Sequence, residues 1–258
     1  MKKRFCFTVD DNIRFFKELT NENKNTLFDH PYLQVFQRLH EALGMKVQLN
    51  LFYEDKEFNL SMMTDKYRDE WQENADWLKL SFHSRLENVS PYASSGFDEV
   101  NADCSTVHRE ILRFAGKDSL ATSTTLHFCL ATSEGIEAMK QNGVTALLGL
   151  FGTSQSPRTS YTLSLADAEQ VRQGNALTMD GMTYRGIDIV LNLFDIPAIE
   201  EQLNALIQEG REQINVMIHE QYFYSDYRYY QPDFEEKLAK TFSILTTNGY
   251  QSAFFEDL

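Results

Sequence analysis

The chain has 258 residues, with 24 lysines and arginines against 38 aspartates and glutamates for a formal charge of −14, 42% hydrophobic residues, 12 glycines and 5 prolines. That composition is globular and excludes a disordered or fibrous chain. Its acidity, spread along the whole length, argues against a nucleic-acid partner, which would require clustered cations to displace counterions.

The longest apolar runs, 145–151 and 187–194, fall far short of the ~20 residues of a spanning helix, so no membrane partner is expected. Lys2, Lys3 and Arg4 open like a signal-peptide head, but the apolar stretch 5–9 stops at Asp10 and Asp11. The expectation is a mature, cytoplasmic N-terminus. Cys6, Cys104 and Cys129 are odd in number and fit no zinc or redox spacing, which points to buried thiols.

In chain order, 4–10 reads as a strand. Residues 29–43 read as a helix with Asp29 as N-cap, Pro31 in the first turn, Gly44 as stop and Tyr32, Phe36, Leu39 and Leu43 as its buried stripe. A strand over 46–52, a helix near 65–75 and a strand over 77–82 follow. Ser95 and Asp98 have capping-box spacing for a helix to about 115, with Val100, Cys104, Val107, Ile111 and Phe114 facing inward and His108 at the surface. A fourth strand spans 123–128, Ser133 caps a short helix that Gly143 ends, and 144–150 is a fifth strand. From 152 to 185 the rhythm breaks: Ser, Thr, Gly and Pro cluster at 152–160, and two short strand-like pieces follow. This is an insertion in a single domain over 1–258. Strand 186–194, helix 198–209, strand 214–218, helix 232–248 and strand 250–255 complete about eight strands, an α/β alternation typical of a mostly parallel sheet.

Strand parity says more. Phe5, Phe7 and Val9 oppose Cys6, Thr8 and Asp10; Val47, Leu49 and Leu51 oppose Gln48, Asn50 and Phe52; Leu78, Leu80 and Phe82 oppose Lys79, Ser81 and His83. The same holds around Ser123, Thr125 and His127 and around Asn215, Met217 and His219. An open doubly wound sheet reads nearly continuously apolar, whereas a barrel packed under helices and lined with polar groups alternates. The solvated side of an antiparallel sheet would alternate too. In a barrel the strands' C-terminal ends carry the site, and those ends hold Asp10, Asp11, His83, His127, Asp195, His219 and Glu220.

Three of these groups suggest chemistry. Asp10 and Asp11 diverge, so one carboxylate can bind a metal while the other acts as a base; alone, the pair is also ordinary turn chemistry. If the chain turns helical after His83, Glu87 lies at i+4 on the same face, and Asp11, His83 and Glu87 become three metal ligands with a position open for water. His219 is placed as a general acid, with Tyr222 in the aromatic run beside it as a platform for a sugar ring. His127, Asp195 and Glu220 are candidate substrate contacts.

The combination resembles the polysaccharide deacetylases, metal-dependent carbohydrate esterases built on a distorted seven- or eight-stranded (β/α) barrel. Thr8, Val9, Asp10 and Asp11 are similar to the family's TFDD motif, which implies Asp10 as catalytic base and Asp11 as metal ligand. His83 to Glu87 resembles H[ST]xxH with Glu87 in place of the second histidine, and Ile218 with His219 resembles the late LxH motif of the general acid. The family's RxPxG and Asp-Trp motifs have no counterpart.

The resulting expectation is a metal-dependent hydrolase that removes an acyl group from an N- or O-acylated carbohydrate or a related small amide. Its cofactor would be one divalent ion, zinc first, with manganese or nickel as alternatives. A homo-oligomer is compatible with the sequence. The alternatives are a metal-independent glycosidase pairing Asp10 with Asp195 or Glu220, and a non-catalytic carbohydrate-binding barrel.

Overall fold

The computed structural model describes residues 2–87, 92–152 and 159–258. Strands are β1 (Arg4–Asn12), β2 (Val47–Glu54), β3 (Leu78–Leu86), β4 (Ser123–Thr124), β5 (Ala146–Gly149), β6 (Leu177–Met179), β7 (Met182–Gly186), β8 (Ile189–Val190), β9 (Gln213–His219) and β10 (Gln251–Ser252). Helices are α1 (Arg14–Glu22), α2 (Pro31–Leu43), α3 (Arg68–Glu73), α4 (Phe97–Phe114), α5 (Ser133–Gln141), α6 (Leu165–Arg172), α7 (Ile196–Gln208) and α8 (Phe234–Thr247).

One sheet runs β3-β2-β1-β9-β8 with β10 joined to the start of β1; the other runs β4-β5-β7-β6. Every pairing is parallel except the β6–β7 hairpin. The sheets meet at two places. Leu80 bridges Leu120 beside β4, and β7 runs into β8 through Ile187 and Asp188, whose amides bond Gly149 and Asn215 at 2.9 Å each. The two sheets make a mixed α/β fold of mostly parallel strands with discontinuous ladders, consistent with a distorted barrel, and the parallel pairing removes the antiparallel reading of the strand parity.

The outward side chains form the main core. Phe5 stacks on Phe242 of α8 at 5.4 Å, and Phe7 meets Phe36 of α2 at 6.2 Å. Each such ring contributes roughly 2–3 kcal/mol by leaving water. The inward side chains bond one another: Gln48 donates to Asn50 Oδ1 at 2.7 Å, Ser123 donates to Gln48 at 2.7 Å, Ser81 donates to the Ser123 carbonyl at 2.6 Å, and Asn50 donates to Asp10 at 2.7 Å. Pairing makes most of this buried polar lining tolerable, although the Thr8 and Thr125 hydroxyls find no partner among the described residues.

Several expectations need correction. α1 is absent from the sequence reading because its local start signal is missing: Ile13 offers no capping side chain. The cap comes from Glu220, whose carboxylate accepts from the amides of Ile13 (2.7 Å), Arg14 (3.1 Å) and Phe15 (2.8 Å). α4 opens at Gly96 without a side-chain cap, so Ser95 and Asp98 form no capping box. His30, not Asp29, caps α2. His108 is buried, 3.7 Å from Cys104 Sγ, and burial pulls its pKa down to about 4. The fourth strand shrinks to two residues, and the strand expected over 186–194 shrinks to β8. Within 152–185, α6 and the β6–β7 hairpin appear, and β7 is a parallel neighbour of β5. Most of the cluster expected at 152–160 lies outside the described residues. The three cysteines are buried and form no disulfide among the described residues. Among the described residues no helix is long and apolar enough to cross a membrane.

Candidate metal centre

Asp10 and Asp11 lie near the end of β1, where its pairing with β2 slips between Val9 and Asn12. Regular alternation would send Asp11 to the outer face with Val9. Instead Asp11 has φ 65, a left-handed conformation that a short polar residue tolerates, and its carboxylate turns into the barrel mouth beside Asp10. Asn12 fixes this corner: its amide donates to the carbonyls of Val9 and Asn50 (2.6 and 3.1 Å), and its oxygen accepts from Tyr32 (2.7 Å).

Three ligand atoms converge there. Asp11 Oδ1 lies 3.1 Å from His83 Nε2 and 3.3 Å from His127 Nδ1, and the two ring nitrogens are 3.2 Å apart. His83 comes from β3 and is 2% exposed. Its Nδ1 faces the Thr125 carbonyl, so Nδ1 carries the proton and the Nε2 lone pair points at the group. His127 reaches the group from a turn in which Phe128 and Cys129 take φ 61 and 56. Phe52 packs edge-on against its ring at 5.0 Å. Gln221 donates to the other Asp11 oxygen at 2.8 Å.

The donor set fits a divalent cation. Bonds of about 2.05 Å at tetrahedral angles put neighbouring ligand atoms about 3.3 Å apart, close to the three separations here. With both rings neutral and their lone pairs turned inward, imidazole nitrogens this near one another would repel unless a positive charge lay between them. Two nitrogens and a carboxylate oxygen suit zinc among the divalent ions.

The charge state of Asp11 agrees, since a ligating carboxylate must be ionised, whereas a cation would have to displace a proton from His83. Burial pushes the Asp11 carboxyl up, but its bonds to His127 and His83 outweigh that and hold it well below the usual carboxylate range. Burial raises Asp10, only partly opposed by His83 and His219. Burial works against protonated His83, and the Asp10 and Asp11 charges with the Thr125 carbonyl overcome it, raising its pKa.

His219 is the register partner of Asp10 on the neighbouring strand β9, and Asn192 Oδ1 sits 2.8 Å from its Nδ1. Asp10, Asp11, His83, Glu87, His127, His219 and Tyr222 all line one cleft of about 360 Å³. The structure thus gathers most of the residues singled out in the sequence. Three differ from expectation. Residues 83–86 stay in β3 and Glu87 follows in an exposed turn, so the i, i+4 relation with His83 does not exist, and the third atom of the tight group belongs to His127. Asp195 caps α7, accepting from the Ala198 amide at 2.9 Å. Glu220 is 1% exposed, and its oxygens are occupied by the start of α1 and by Tyr224. The sequence reading also passed over Asn50, Gln221 and Asn192. Asn50 and Gln48 lie on the polar parity of β2, which was the one signal for them.

No protein-family profile and no curated protein matches the chain. Solved structures do. A putative polysaccharide deacetylase from Mycobacterium smegmatis superposes with a TM-score of 0.63 at 9% identity, covering 100% of this chain and 89% of that one. A peptidoglycan N-acetylglucosamine deacetylase gives 0.56 at 10%, covering 99% and 87%. A CE4 family pseudoenzyme from Bacillus anthracis gives 0.53 at 11%, covering 100% and 65%, so the chain spans about two thirds of that protein's length. At these identities the likeness concerns the backbone, and the fold of this chain is similar to the mostly parallel α/β barrel of the polysaccharide deacetylases.

Proposed function

We propose that the chain is a metal-dependent hydrolase of the deacetylase kind, acting on an N- or O-acylated carbohydrate or a related small amide. The observation that carries this reading is the triangle of Asp11, His83 and His127, flanked by Asp10 and His219 in one cleft. Asp11, His83 and His127 would hold one divalent ion, zinc foremost. When bound, that ion supplies Lewis acidity, polarising a carbonyl and lowering the pKa of water.

The chain's own groups supply the proton transfers. Asp10, steadied by the Asn50 amide, takes the proton of the attacking water. His219, oriented by Asn192, returns a proton to the departing nitrogen or oxygen. Tyr222 and Phe128 wall the cleft and offer faces on which a sugar ring can lie. Glu87 sits on the rim, where it is suited to substrate rather than to the ion.

A sugar-binding barrel without turnover is the second reading, favoured by the likeness to a pseudoenzyme. The test is hydrolysis of acetylated sugars and small acetamides by zinc-loaded protein beside its Asp10→Asn variant. Turnover lost in the variant supports the hydrolase, whereas sugar binding with no turnover in zinc, manganese or nickel supports the second reading.

A further inference from the structure

A second cavity, of about 890 Å³, opens at the opposite end of the barrel, where β1 and β9 begin. Arg4 and Asp10 are six residues apart on β1, roughly 20 Å in a strand, so this cavity is separate from the metal centre. We propose that it binds a small phosphate-bearing anion, held by Arg4, Arg185 and Arg211 with Lys2 and Arg172 at its edge.

The charge pattern is the first support. In a chain of net charge −14, five cationic side chains face this cavity against three side-chain carboxylates, Glu209, Glu212 and Asp257, and one of the five, Arg172, is already paired with Glu169. Asp257 is engaged elsewhere, 3.3 Å from Lys46 Nζ and accepting from the Phe254 amide. Glu209 reaches only Arg211, at 3.4 Å, from a largely exposed position.

The second support is that two of the three central cations, Arg4 and Arg185, meet no carboxylate among the described residues, while Arg211 is only loosely paired, 3.4 Å from Glu209 and 3.9 Å from Asp188. Among the described residues Arg185 has no carboxylate within 4.0 Å; its guanidinium donates to the neutral Gln213, and burial lowers its pKa. Arg4 likewise meets only the neutral Gln251 Oε1, at 3.2 Å. Arg211 is 15% exposed and donates to the Arg172 carbonyl at 3.0 Å, while its Nη1 is buried without a hydrogen-bond acceptor, 3.9 Å from Asp188. Gly174, with φ +90, makes room for it: a Cβ there would lie 2.1 Å from that nitrogen.

Desolvating a guanidinium without a counter-charge is costly, and the cost is repaid by an anion that accepts charge-assisted, bidentate hydrogen bonds, as phosphate does. The cavity's size falls within the range of small-molecule sites. An extended nucleic-acid backbone would need a longer basic track than this compact group.

The test is calorimetric titration of the full chain with inorganic pyrophosphate at fixed ionic strength. One saturable site with a sub-millimolar Kd is expected. Arg185→Gln and Arg4→Gln should each weaken it about tenfold, with thermal melts reporting that both remain folded; Arg4 lies nearer solvent and keeps the test informative if the other variant unfolds. Arg38→Gln, which breaks a surface pair with Glu235 elsewhere, should leave the affinity unchanged. No saturable binding to the wild-type protein, or an affinity unmoved by Arg4→Gln, would overturn the proposal.

Discussion

In the six-stranded sheet, β1 and β3 are nine residues long and β9 is seven, and they pair in near-continuous parallel register. Their ends carry Asp10, His83 and His219, each on the face that alternation assigns. In the four-stranded sheet, β4 is two residues long, and the chain leaves it through Leu126 into a turn with left-handed Phe128 and Cys129. His127 comes from that turn, and it, rather than Glu87, completes the triangle with Asp11 and His83. The long strands deliver Asp10, His83 and His219 by period, whereas Asp11, at the slipped end of β1, and His127, in its turn, arrive through left-handed backbone that no period records.

The sharpest way to break this comparison is to remove one ligand from each half. Asp11→Asn and His83→Ala should abolish metal binding and turnover, and His127→Ala should do the same although it comes from the irregular half. Glu87→Ala should retain the metal and change turnover within about threefold, as a rim residue would. Next in size, Asp10→Asn should keep the metal while slowing turnover about 10²- to 10⁴-fold, and Asn50→Ala, which frees Asp10, should slow it about tenfold; steady-state rates with elemental analysis separate the two effects.

Smaller still is a stability effect at the seam between β9 and α1. Burial raises the Glu220 carboxyl from 4.5 to about 7 despite the three amides that pull it down. Between those values the unfolded chain releases the proton and the folded protein keeps it, so this group's contribution to stability falls as pH rises through the window. Glu220→Gln is neutral throughout and should lack that fall, a difference on the order of 3 kcal/mol between pH 4.5 and 7, read from denaturant titrations. The smallest effect belongs to the His127 turn. Phe128→Gly removes a left-handed penalty and adds chain entropy, so stability should move by about 1 kcal/mol or less with metal affinity intact. Phe128→Val, β-branched at the same φ, should lower both.

Much of the barrel was legible because its inward and outward faces differ in polarity: Phe5, Phe7 and Val9 against Thr8 and Asp10 is a pattern set by burial on one side and hydrogen bonding on the other. α1 was not legible, since its cap is Glu220, more than 200 positions away. His127 was visible as a polar strand-end residue but not as a partner of Asp11, because two left-handed residues set its direction. Glu87 drew attention through a helical spacing that the extension of β3 removes. Motif spacing thus pointed to the cluster around Asp11 and His83, and the second histidine of that cluster required the fold.

The most direct test of the central claim is the metal content of tag-free protein after equilibration with zinc, for the wild type, His127→Ala and Glu87→Ala prepared identically. The account predicts one equivalent of metal in the wild type and in Glu87→Ala, and none in His127→Ala. A wild type that binds no metal, or a pair in which Glu87→Ala loses it and His127→Ala keeps it, would contradict the account.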